Sequence, residues 1–199
     1  MKLILDSGIF GLGIGGDKNG GVLEFYNLIF SETSIPLEEC ARVFFPAKML
    51  CFDALVASHF VIPPAFIMMS HYDIWGINQI MGLKCAPYTN PANLQDCGFI
   101  ERIRIWLYRQ ELELRMNQFR LYKKNSIWAI SCSFHSFLKF QDATINDDYR
   151  VPARTGITIV EGLERFLKGK RTIAIDRAKY PNNRACNGIP SGGWNLQYE

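Results

Sequence analysis

The sequence predicts an α+β fold, mainly an antiparallel sheet with a few packed helices. Three observations carry that expectation. Ile103, Ile105 and Leu107 alternate with Arg102, Arg104, Trp106 and Tyr108, the period-two pattern of a half-buried strand. A second alternation, Leu112, Leu114 and Met116, resumes in the opposite phase, as a bulge or reversal near Gln110 would produce. Residues 126–139 (SIWAISCSFHSFLK) are apolar enough to form a further, central strand.

The remaining elements follow in order. Residues 2–5 suit a first strand, which empties into Gly8, Gly11, Gly13, Gly15, Gly16, Gly20 and Gly21, a tightly turning loop. Gly11, Gly13 and Gly16 satisfy G-x-G-x-x-G, but Asp17-Lys18-Asn19-Gly20-Gly21 forbids the helix that a dinucleotide fingerprint needs next. Residues 22–30 read as a strand or a short helix. Ser34 caps a helix with Pro36 in its first turn and Glu38 and Glu39 at its positive end, and Pro46 ends it. A second helix is expected over 47–59, with Leu50, Ala54 and Ala57 inward and Asp53 and His59 in structural hydrogen bonds. After the apolar run to Met69 come His71, Tyr72 and Trp75, then a long surface loop through Pro87, Asn90, Pro91 and Asn93. Residues 156–160 form a short strand and residues 161–167 a helix that stops at Gly169.

Residues 99–124 also admit one long helix. Glu, Leu, Arg, Met and Gln are good helix formers, and Phe99, Ile103, Leu107, Leu114 and Leu121 could share a face. The weight of Ile, Trp, Tyr and Phe favours strands.

A chain of 199 residues, 48% of them hydrophobic, buries a substantial core, so residues 1–180 are read as one globular domain and residues 181–199 as an extended arm. Trp194 and Tyr198 are the arm's anchors on a neighbour. The six cysteines include no C-x-x-C pair, which is poor spacing for zinc, and read as buried free thiols. The amino terminus MKLILD is too short for a signal peptide. The most apolar segment, 60–69, is far below the roughly 20 residues that span a bilayer. These features place the chain in a reducing cytoplasm with no membrane partner.

Charge points to a partner. Residues 99–124 carry seven cations (Arg102, Arg104, Arg109, Arg115, Arg120, Lys123, Lys124) against three acids, a sum of +4 that exceeds the chain's formal +3. Trp106 and Tyr108 sit among them as base-stacking candidates. A second tract, 165–184, adds Lys168, Lys170, Arg171 and Arg177 among seven cations opposed only by Asp176. Two like-charged tracts in one fold are easiest to reconcile with an anion between them, so these residues are the expected contacts to RNA. No G-x-S-x-G, H-E-x-x-H or Walker motif is present. His135 and Lys139 lie roughly 13 Å apart if on one strand, too far to share a proton. His135 reads as a core histidine, and no catalytic residue, cofactor or metal is expected.

The order of a first strand, a glycine turn, the helix PAKMLCFDALVASHF, a basic β-region and GLERFLKGKR resembles the RAMP superfamily of CRISPR effector subunits. That resemblance implies a ferredoxin-like fold and a non-catalytic scaffold subunit of an antiviral ribonucleoprotein. It also implies that Lys168, Lys170 and Arg171 hold guide RNA alongside other protein subunits. Thr172-Ile173-Ala174-Ile175 follows Lys170-Arg171 where that family has a G-x-G segment. A structural subunit of a protein assembly and a nucleotide-binding enzyme are the alternatives.

Overall fold

The computed structural model describes residues 1–7, 38–60, 63–86, 94, 96–139, 149–152 and 155–178. Four strands, β1 (Leu3–Asp6), β2 (Ala65–Ser70), β3 (Ser126–Ile130) and β4 (Ile173–Ile175), form one sheet in the order β1-β2-β3-β4. Every pairing is parallel. This overturns the antiparallel, ferredoxin-like expectation, and the reason lies in how parallel strands are written. Central parallel strands are covered on both faces and so read as continuous apolar runs rather than alternations. AFIMMS in β2 and SIWAI in β3 are buried at every residue.

The helices lie between the strands: α1 (Glu38–Val43), α2 (Ala54–Ser58), α3 (Phe99–Leu121) and α4 (Ile159–Leu167). Ala65, Ile67 and Met69 of β2 pack with Ile127 and Ala129 of β3 against α3. Phe66, Met68, Trp128 and Ile130 point the other way, into a second cluster with Ile159 and Phe166 of α4. The sheet is therefore covered by helix on both sides, an α/β arrangement.

Residues 99–121 are one helix rather than two strands. Ile105, Tyr108, Leu112, Met116 and Phe119 recur at spacings of three and four and form its buried face. The alternating Ile103 and Leu107 are exposed, so the period-two pattern belonged to two different faces of a helix. Glu101 Oε2 accepts the Gly98 N–H at 2.7 Å and fixes the first turn.

Other boundaries shift for local reasons. The helix expected over 47–59 divides at Asp53, whose side chain accepts from the N–H groups of Leu55 and Val56 and starts α2. The long strand expected from 126 to 139 ends at Ile130, and the strand expected over 156–160 is instead the approach to α4, capped by Thr158. Ile173–Ile175 supplies the fourth strand. The glycine loop, residues 22–30, the loop at 87–93 and the arm at 181–199 lie outside the described residues.

Free thiols are also overturned. Cys40 is joined to Cys51 and Cys85 to Cys97, with Cα atoms 5.9 and 4.9 Å apart, and Cys132 is disulfide-bonded as well. Spacings of 11 and 12 residues suit no compact zinc site, yet they let local turns bring two sulfurs together. The Cys85, Cys97 and Glu101 grouping thus has its sulfurs bonded to each other rather than to a metal. Persistent disulfides belong to an oxidising compartment, which replaces the cytoplasmic reading. Among the described residues, no helix is long and apolar enough to cross a membrane.

Each short loop closed by sulfur constrains the unfolded chain by about 3 kcal/mol. The Cys85→Ser/Cys97→Ser pair is expected to lose stability of that order in urea unfolding, and a reductant should cause no further loss through that site. An unchanged midpoint would show that the bridge does not form in solution.

Candidate active site at the carboxyl edge of the sheet

Because all four strands run the same way, their carboxyl ends share one edge, the position where open parallel sheets gather ligands. β1 ends at Asp6 and continues into Ser7, while β2 is followed by His71, Tyr72 and Asp73. β3 is followed by the loop Ser131 to Ser136. Main-chain bonds prolong the pairing past the strands: His71 N–H donates to Ile130 O at 2.9 Å and Tyr72 N–H to Cys132 O at 3.1 Å.

Asp73 is the centre of the site. It is fully buried; one carboxylate oxygen accepts the Gly76 N–H at 2.7 Å, and the other lies 2.8 Å from His135 Nδ1. Burial raises its pKa above the usual carboxylate value, against the opposing hydrogen bond and charge of His135. With the Asp73 carboxylate as acceptor, the bond makes Nδ1 the donor and leaves Nε2 as the second ring nitrogen. Trp75 stacks on the His135 ring with centroids 5.8 Å apart. Unlike the core histidine the sequence suggested, His135 is partly exposed.

The floor of the site is a tight turn. Ser7 and Ser136 both adopt left-handed backbone, with φ of 53° and 61°, which costs a residue bearing Cβ about 1–2 kcal/mol. The Ser136 N–H donates to Ser7 Oγ at 2.9 Å. Asp6 accepts the N–H groups of Phe137 and Leu138, each at 2.8 Å, which ties the turn after β3 to the end of β1. Ser136 is partly exposed, whereas Ser131 and Ser133 of the same loop are buried.

His71 differs from His135. It is fully buried, and neither ring nitrogen finds a hydrogen-bond partner among the described residues. Burial first, and the nearby Arg109 charge second, lower its pKa to about 3, so it stays neutral and is no base at ordinary pH.

The thirteen residues expected to hold RNA are dispersed rather than gathered, with Arg109 beside His71 and Tyr72 at this edge and Arg177 just past the end of β4. Tyr108 is buried in the core and Trp106 is exposed. Arg115 is buried, 2.6 Å from Asp53 and 3.6 Å from Glu111. Arg109 is buried 3.4 Å from Glu113 and donates to the carbonyl of Arg177. Arg102 and Arg104 donate to the carbonyls of Cys97 and Met81. Lys168 pairs with Glu164 at 3.2 Å. Arg120, Lys123, Lys124, Lys170 and Arg171 are exposed. The sequence reading missed Asp73, Asp6 and Ser136. Their signal was position: each follows an apolar run that ends abruptly in polar residues.

Comparisons with known proteins agree with this edge. A family model described as pectinacetylesterase matches residues 1–187. No curated protein matches the chain. Two crystal forms of the Wnt deacylase Notum from Drosophila are similar in fold. One has a TM-score of 0.66 at 18% identity over 92% of this chain and 48% of that one. The other has a TM-score of 0.59 at 16% identity over 92% and 47%. This chain spans about half the length of those structures. The matches overturn the RAMP resemblance together with its RNA-binding, ribonucleoprotein and CRISPR roles and its RNA and subunit partners. The parallel sheet resembles the α/β-hydrolase fold, and the family is one of ester-cleaving enzymes.

A buried histidine with a lowered pKa contributes stability that is complete above its unfolded value of 6.5 and is lost as pH falls toward about 3. His71→Leu is therefore expected to flatten the acid limb of a stability-against-pH curve below 6.5, by up to about 1.4 kcal/mol per pH unit. Parallel curves for the two proteins would refute it. A Cβ on residue 76 would lie 1.8 Å from the Tyr108 hydroxyl, so Gly76→Ala must displace either the buried Tyr108 ring or the turn that holds Asp73. A loss of about 1–3 kcal/mol is expected in thermal unfolding.

Proposed function

We propose, from the premise that this chain belongs to the pectinacetylesterase family, that it cleaves carboxylic esters in an oxidising, extracellular setting. The acyl group in view is acetyl and the alcohol a polysaccharide hydroxyl, as the family's name describes. The observation that carries the reading is the 2.8 Å bond from His135 Nδ1 to the buried Asp73 at the sheet's carboxyl edge, one residue before the left-handed Ser136. Disulfide bonding of Cys40, Cys51, Cys85, Cys97 and Cys132 supports the extracellular setting.

In this reading Asp73 holds His135 in one tautomer and orientation, and His135 Nε2 takes the proton of a serine hydroxyl. Ser136 is the assigned nucleophile, since it is partly exposed and occupies a strained turn between a strand and a helical turn. Its Oγ bonds to the ester carbonyl carbon. The protonated His135 returns the proton to the departing alkoxide, leaving an acyl-serine. Water then attacks that carbonyl while passing a proton to His135, and the acid leaves as serine recovers its hydrogen. Asp6 holds the N–H groups of Phe137 and Leu138, so in this arrangement it fixes the turn rather than leaving those donors to the substrate.

A fluorophosphonate probe followed by peptide mass spectrometry tests the assignment. Labelling of Ser136 is expected, together with acetate release from acetylated pectin. Asp73→Asn should lower kcat on the order of 10³- to 10⁴-fold, as loss of the orienting carboxylate does in serine triads. Label on Ser133 would move the nucleophile within the same loop. Folded protein that neither takes label nor releases acetate would remove the esterase reading.

A further inference from the structure

Three chain segments meet at the carboxyl edge around the Asp73–His135 pair: His71 to Asp73 after β2, Ser131 to Ser136 after β3, and Asp176 to Ala178 after β4. Neighbouring segments are joined through the main chain. Tyr72 N–H donates to Cys132 O at 3.1 Å, and Asp176 N–H donates to Ala129 O at 2.8 Å. β2 and β4 do not pair with each other, because β3 lies between them. A link between their ends therefore falls to a side chain.

Arg109 makes that link. It comes from α3, is only 4% exposed, and reaches both strand ends at once. Its guanidinium carbon lies 5.9 Å from the centre of the Tyr72 ring, one residue before Asp73. Nη2 donates to the carbonyl of Arg177 at 3.3 Å, just past β4. Nη1 lies 3.4 Å from Glu113, one turn along the same helix, which balances the buried charge. A planar fork serves these three directions together, whereas an ammonium group is a point charge on a flexible stem. A buried ion pair adds little net stability, so what Arg109 supplies is geometry.

We propose that Arg109 is a positioning residue for the Asp73–His135 pair, clamping the ends of β2 and β4 across the end of β3. Tyr72 and Asp73 are adjacent, so a shift of the Tyr72 ring carries into the carboxylate that holds His135 at 2.8 Å. The other oxygen of Asp73 accepts the Gly76 N–H at 2.7 Å, and a displaced backbone cannot keep both bonds. Such constellations tolerate about 0.5 Å of error. Arg109 acts through Tyr72, not on the substrate. The role rests on the esterase reading for its kinetic consequence and on the His135–Asp73 bond alone for its spectroscopic one.

Arg109→Lys in the full chain tests it, since the charge stays and the fork is lost. On acetylated pectin, kcat is expected to fall about 10- to 100-fold with KM within about twofold, the scale of a misplacement of about 1 Å. The downfield proton resonance of His135 Nδ1–H is expected to broaden or vanish. Arg115→Lys is the control: this buried arginine lies about 9 Å further along the same helix, bonded to Asp53, and its variant should leave kcat and the resonance unchanged. Both variants are compared below the onset of their thermal unfolding. If Arg109→Lys does not fold, Glu113→Gln carries the test, because it removes the charge opposite Nη1 and keeps the side chain's shape; a smaller loss of the same kind is expected. Wild-type kcat with an undisturbed resonance in the folded variant overturns the proposal. So does an equal loss in Arg115→Lys, which would mean a general softening of the helix, and so does absence of the resonance from folded wild-type protein. A wild-type chain that shows the resonance but cleaves no ester removes the esterase reading alone, and the resonance of the variants then decides the clamp.

Discussion

Parallel pairing is the constraint from which the rest of this molecule follows. Two parallel neighbours cannot be joined by a tight turn, so the chain must travel back along the sheet between each strand and the next. Helix α3 makes that return between β2 and β3. The same directionality places the ends of β1, β2 and β3 side by side. Asp6, Asp73 and Ser136, far apart in sequence, become neighbours only there. The gathering of these side chains at one edge is thus a consequence of strand direction rather than of any local motif.

Burial then decides what each ionisable group can do. Asp73 is tolerated in the interior because a backbone N–H and an imidazole both serve it, and what remains of the desolvation cost appears as a raised pKa. His71, equally buried but without such partners, stays neutral. Arg115 is held by Asp53 and Glu111, and Asp53 at the same time caps α2, so one carboxylate stabilises both a helix end and a buried guanidinium. Removing either member of that pair would leave a charge uncompensated in the core.

Two populations stand out among the cations of the long helix and the turn after it. Arg109 and Arg115 face the protein and are matched from within. Arg120, near the end of the helix, and Lys123 and Lys124, in the turn after it, are exposed. Summed charge along a segment treats the two populations alike. Only their angular positions on the helix distinguish an internal ion pair from a surface contact.

Some of this was determined by the residues themselves. The first strand at 3–6, the apolar run that holds β2, the helix near 38–43 and the helix that stops at Gly169 are all legible, because local pattern and capping chemistry specify them. Helical potential in 99–121 was legible too, though alternation there imitated a strand until packing selected which face to bury. The cysteine spacings were visible while their pairing was not, since it depends on turns that bring Cα atoms within reach. The His135–Asp73 contact spans 62 positions. No local pattern encodes such a contact. Strand direction is a property of the assembled sheet, and it alone brings these residues to one edge.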